Sequence, residues 1–152
     1  DQPVIVIPYT ALLIVVIGLA VLAAADVATH RVEWLPTMLL GAAAASALWY
    51  DGITVQQWIW AILTAAAVFL FYLEMGVLGR FGGGDITLAP IPALVIGAVN
   101  PILGIWVFTV AIALQGVVSL AVRIGLKDPQ PTLPHVPAMF AGVAAPILFG
   151  IL

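Results

Sequence analysis

The chain has no cysteine. Disulfides, thiol nucleophiles and cysteine-based zinc sites are therefore excluded, and the redox compartment stays open. Charge is nearly as scarce. Four Lys and Arg and seven Asp and Glu make up 7% of 152 residues, against about 25% in a soluble domain. A chain so poor in charge cannot clothe itself in a wettable surface. Its net charge of −3 is too small to argue for an acidic or basic partner, and nothing points to nucleic acid.

What the chain does have is apolar sequence, 64% of it. The expected fold is all-α: a polytopic membrane protein with a single transmembrane domain over residues 1–152. The length allows about six spans of roughly 20 residues with short loops, and no separate soluble domain. The spans are expected at about 5–25, 35–50, 55–73, 85–99, 102–122 and 136–152. The first run lacks a basic lead-in and is long enough to span, so it reads as a retained helix rather than a cleaved signal. Ala43, Ala44, Ala45 and Ser46 suit close packing of the second span. Pro90 and Pro92 predict a kink in the fourth. Trp58 and Trp60 are expected near one membrane interface and Tyr72 near the other. Trp34, Trp49 and Trp106 read as further anchors or packing residues.

The four basic residues set the orientation. Arg31 falls between spans one and two, Arg80 between three and four, and Arg123 and Lys127 between five and six. With six spans, these loops share one side. The opposite loops, around Asp51 and Asn100, carry no Lys or Arg. The positive-inside rule makes the basic side cytoplasmic and leaves both termini outside. Asp26, Glu33, Glu74, Asp85 and Asp128 lie on that same side.

Asp26 ends span one and Asp85 opens span four, so the two sit at equivalent depth. An ionisable group beside a membrane span is a functional candidate by default. Asp85 follows Gly82-Gly83-Gly84. Glycines accept positive φ and let another backbone come close. A carboxylate on such a loop suits an enzyme that acts on peptides. The plainer alternative is that both aspartates cap helix ends and the glycines make a turn. If spans one and four pack together, the carboxylates face each other across a wet pocket. Such a pair tends to hold one proton. The ionised member activates water, and the protonated member polarises the scissile carbonyl and helps the amine leave. The pair titrates as a unit.

These residues carry a family resemblance. Gly82-Gly83-Gly84-Asp85 resembles the G-x-G-D motif of intramembrane aspartic proteases. The run Gly82 to Ala89 is similar to the G-x-G-D-v-K-L-a stretch of type IV prepilin and preflagellin peptidases. Asp26, with Pro36 ten residues on, resembles that family's first aspartate. Leu133-Pro134-His135-Val136-Pro137-Ala138-Met139 resembles its I-P-F-x-P-f motif. The resemblance implies a hydrolase with Asp26 and Asp85 as the catalytic pair and no cofactor. It also implies a partner in the cell inner (cytoplasmic) membrane. That partner is a pilin-like or flagellin-like precursor, whose basic leader is cut before its hydrophobic helix at the cytoplasmic face, as in type IV pilus systems. Three positions depart from the family pattern. Thr87 stands where lysine is usual, Thr37 where asparagine or aspartate is expected, and His135 where an aromatic is common. Larger relatives add a cysteine-bearing domain and methylate the new N-terminus. Without cysteine, a peptidase-only form without S-adenosylmethionine is expected.

Gly82, Gly83, Gly84, Glu33 and Glu74 are candidates to bind substrate or shape its loop. The glutamates, with Asp128, could attract a basic leader, and a solvated rim is the plainer alternative. His30 lies four residues after Asp26, so a continued helix would put both on one face, and with Asp85 and His135 they could form a two-histidine, two-carboxylate metal site. Polar interface roles are the simpler reading, and no metal is expected. The alternative function is a small proton- or cation-conducting channel or transporter with the aspartates as relay. A relay needs polar groups at mid-depth, where Gln115 is the main one.

Overall fold

The computed structural model describes residues 5–79, 81–126 and 133–150. Arg80, Lys127 and Asp128, which figure in the orientation and the acidic rim, lie outside the described residues. The described chain is helical, with no strand. Its helices are α1 (Tyr9–Thr29), α2 (Trp34–Tyr50), α3 (Val55–Val77), α4 (Gly83–Leu88), α5 (Pro90–Val99), α6 (Pro101–Leu126) and α7 (Val136–Leu148).

Three helices, α1, α3 and α6, are long and apolar enough to cross a membrane. The other three expected spans are shorter. α2 has 17 residues, α7 has 13, and the fourth is divided into α4 with 6 and α5 with 10. At ~1.5 Å per residue α7 runs roughly 20 Å, short of the ~30 Å hydrocarbon core. The division of the fourth span falls at Ala89, just before Pro90. Proline has no N–H to give, and its ring crowds the carbonyl four residues back.

Helix ends are marked by short polar side chains. The carboxylate of Asp51 accepts from the N–H of Ala11 at 3.0 Å, so α1 starts after Pro8 rather than near Ile5. Thr54 and Gln57 form a reciprocal capping box at the start of α3. Asn100 Oδ1 accepts from Ile102 and Leu103 N–H, with Pro101 opening α6, where its missing N–H costs nothing. Gly52 turns the chain between α2 and α3 at φ 70°.

α5 is the centre of the bundle. Ile91, Pro92, Ala93, Val95, Ile96, Gly97 and Ala98 are buried, and the helix packs against α1, α2, α3, α4 and α6. Its approach to α3 depends on Gly97. A Cβ there would come within 2.6 Å of Thr64 Cβ. α1 also packs on α2 and α7, and α7 on α6. At one end Gln57 ties the pieces together: its Nε2 donates to the carbonyls of Val6 at 2.7 Å and Ala98 at 3.1 Å. The outward faces stay apolar. Leu13, Ile17 and Val21 form an exposed stripe on α1, and Ile59, Leu63 and Leu70 do so on α3. Water-soluble monomers rarely leave such continuous apolar surface uncovered. This is the exterior of a membrane protein.

Candidate functional site

Opposite the Gln57 end, the connections α1–α2, α3–α4 and α6–α7 meet around one polar cavity of about 200 Å³. Asp26 and Asp85 both line it, with His30, His135, Gly82 and Gly84. Helix α1 runs past the expected boundary to Thr29, so Asp26 belongs to its last turns. Asp26 is only 5% exposed. Its Oδ2 accepts a hydrogen bond from the N–H of Val136 at 3.1 Å. Val136 is the first residue of α7, and His135 before it makes no side-chain cap. Asp26 therefore supplies from α1 the acceptor that the start of α7 lacks, at the positive end of that helix.

Asp85 is the third residue of α4, and its Oδ2 accepts from the N–H of Gly82 at 3.3 Å. It thus turns back on its own helix start, as the acidic residue of a capping box does. The half-buried carboxyl sits outside the three long helices. Burial pushes its pKa up to about 6, the Gly82 N–H opposes that rise, and the charge of Asp26 adds to it. Both aspartates do serve helix ends, in line with the plainer alternative. They also share a cavity.

The glycine run differs from expectation. None of Gly82, Gly83 or Gly84 has positive φ. Among the described residues, positive values near this end fall at Gly79 (φ 71°) and His30 (φ 52°). His30 caps α1, its N–H bonded to the Asp26 carbonyl at 2.8 Å, so the helix does not continue through it. Gly84 does admit a close backbone, but an internal one. A Cβ on Gly84 would lie 2.5 Å from Val32 Cβ and 2.8 Å from Val32 O. The glycine lets the α1–α2 loop settle against α4, which draws Asp26 and Asp85 toward one cavity.

A second, larger cleft of about 540 Å³ adjoins the first, sharing His30, Val32, Gly82 and Gly84. Glu33, Arg31 and Gly83 line its outer part. Glu74 stands exposed on α3 and lines neither cleft. Although His30, His135, Asp26 and Asp85 share the inner cavity, no three such side chains converge to hold a metal ion among the described residues.

Sequence reasoning missed an aromatic layer beneath the cavity. Tyr72, expected at a membrane interface, is fully buried. Its hydroxyl lies 2.9 Å from His135 Nε2. Phe81 stacks on Tyr72 at a centroid distance of 4.8 Å and leans on His135 at 4.7 Å. His135 is 4% exposed, and burial lowers its pKa to about 4, so the imidazole is neutral at ordinary pH. Gln115 also belongs here. Its Nε2 donates to the Leu133 carbonyl at 3.2 Å, tying α6 to the segment that enters α7.

Chemically, the arrangement offers two carboxylates of unlike surroundings, one buried on a helix start and one half-buried with a raised pKa, around a polar space large enough for water. No protein-family model matches this sequence, and no characterised protein or solved structure is significantly similar to it.

Proposed function

We propose that this protein is a membrane-embedded aspartic endopeptidase that removes the basic leader of type IV pilin-like or flagellin-like precursors. The observation that carries the reading is the convergence of Asp26 and Asp85 on one polar cavity at a single end of the bundle. In this reading α1, α2, α3, the α4–α5 pair, α6 and α7 make six crossings of the cytoplasmic membrane. α4 then sits at the cytoplasmic mouth, and both described ends face outward. Arg31 beside the outer cleft and Arg123 in the last turn of α6 agree with that orientation.

The pair shares one proton, because two like charges cannot both ionise easily at close range. The ionised carboxylate takes a proton from water as its oxygen adds to the scissile carbonyl carbon. The protonated carboxyl hydrogen-bonds the carbonyl oxygen. It then gives its proton to the departing nitrogen as the C–N bond breaks. Water ends up divided between a new carboxyl terminus and a new amine, and the pair regains its single proton. Glu33, which lines the outer cleft beside Arg31, would attract the basic leader. The substrate's apolar helix, just past the cut, stays in lipid.

The test is co-expression with pilin-like precursors. A shortened product with the native protein, and uncut precursor with Asp26→Asn or Asp85→Asn, supports the proposal. Uncut precursor in every pairing contradicts it.

A further inference from the structure

His135 carries an unmet polar group. Among the described residues, its Nδ1 is the one buried side-chain polar atom without a hydrogen-bond partner. Buried polar groups are nearly always satisfied, and exceptions call for an explanation. The ring itself is firmly held. Nε2 meets the Tyr72 hydroxyl at 2.9 Å, and Phe81 covers one side. Two proton arrangements are open to the Tyr72–His135 bond. If Nε2–H donated to Tyr72, the Tyr72 hydroxyl proton and the Nδ1 lone pair would both be stranded. If Tyr72 donates to Nε2, every proton of the pair but one is used. That one is on Nδ1, since a neutral imidazole with an accepting Nε2 carries its proton there. The second arrangement costs less, as fewer buried groups go unpaired.

We propose that His135 is a substrate-binding residue: Tyr72 holds it in the Nδ1–H form, and that N–H donates to a peptide carbonyl entering the cavity it shares with Asp26 and Asp85. This rests on the endopeptidase reading above and adds a third polar contact to it. His135 lines the cavity. Its own peptide link runs into Val136, whose N–H binds Asp26, so the donor and the carboxylate keep a set relation. Burial keeps the ring neutral, with a pKa near 4, so it offers a hydrogen bond without repelling a basic leader. A neutral donor orients a carbonyl without competing for the proton held by the aspartates. Tyr72 also lines an apolar groove of about 410 Å³ between α3 and α6.

Two amide substitutions separate the ring's nitrogens. In His135→Asn the shorter side-chain amide would overlie the place of Nδ1. In His135→Gln the longer one would overlie the place of Nε2. The experiment therefore compares kcat/KM for leader cleavage in the two variants, with Asp26→Asn as the inactive control. The expected result is about a 10- to 100-fold loss for His135→Gln, which keeps the Tyr72 contact and loses the donor, and a smaller loss for His135→Asn, which keeps a donor and gives up the Tyr72 contact. Equal losses, or a larger loss in His135→Asn, would overturn the proposal, because a packing role needs the Nε2 side. A second readout does not depend on cleavage. In ¹⁵N NMR of histidine-labelled protein, assigned by difference with His135→Asn, Nδ1 should carry the proton. Its resonance should also shift saturably when a synthetic peptide with a basic stretch followed by apolar residues is added to the Asp26→Asn protein. A proton on Nε2, or no shift at saturation, refutes the donor. If the native protein cuts no precursor, the endopeptidase reading fails on that result alone, while the NMR result still decides for or against a peptide-binding His135.

Discussion

The Asp26 carboxylate accepts a hydrogen bond from the Val136 backbone N–H at 3.1 Å, across a sequence separation of 110 residues. One contact thus fixes the end of the first helix against the start of the last. It gives Asp26 a structural duty alongside the chemical one proposed for it, and the two duties respond differently to substitution. Asparagine keeps an oxygen for Val136 and cannot act as a base. Alanine loses both.

Asp26→Ala should therefore lower stability where Asp26→Asn does not. Loss of a helix-start acceptor costs about 0.5–2 kcal/mol, and the stranded, buried N–H of Val136 adds to this. Thermal unfolding in detergent should show a lower midpoint for alanine and a near-native one for asparagine. Equal midpoints for the two variants would remove the capping role.

Gly84 and Gly83 should part company in the same way. An alanine at 84 would drive its Cβ into Val32, whereas nothing lies within 4 Å of a Cβ at 83. Gly84→Ala should cost about 1–3 kcal/mol, as overpacking does, and should reduce cleavage by moving the α1–α2 loop away from Asp85. Gly83→Ala should change stability little. The comparison is read from unfolding midpoints and leader cleavage in the two variants.

Cleavage should fall as pH rises through about 6. Burial and the neighbouring Asp26 hold the proton on Asp85 up to about that value. Below it one carboxyl of the pair is protonated and can serve as the acid. Above it the pair loses its last proton and with it the acid. The kcat/KM profile for leader cleavage should show an alkaline limb near pH 6, belonging to the pair as a unit. His135, neutral down to about pH 4, adds no limb in that range. A rate that stays flat from pH 5 to pH 9 would contradict the shared proton.

Much of this architecture is legible in composition and punctuation. Asp26 and Asp85 stand out because each interrupts an apolar run at its edge, and the alternation of basic and non-basic loops predicts the same end for both, where they line one cavity. Pro90 marks the break before α5 for a steric reason that acts within a few residues. The misses are long-range. Tyr72 lies at the end of an apolar run, where a tyrosine ordinarily meets the membrane interface, and only the fold brings its hydroxyl to His135, 63 residues away. Gln115 similarly finds Leu133 through the packing of α6 on the segment before α7. The glycine run suggests a freedom of φ that it does not use. Its small size is what matters, and the close backbone it accommodates belongs to Val32. Pro90 and Pro92 mark the break in the fourth span, whereas the apolar run into α7 shows where a helix can lie and not that it ends at Leu148.

In the proposed mechanism Asp26 and Asp85 act together to add water to a peptide bond. Its most direct test is mass spectrometry of a pilin-like precursor incubated with the purified protein in detergent. Native protein should yield one cut between the basic leader and the apolar segment, and the folded Asp26→Asn and Asp85→Asn variants should each leave the precursor at full mass. Cleavage at the native rate by either variant would contradict the account.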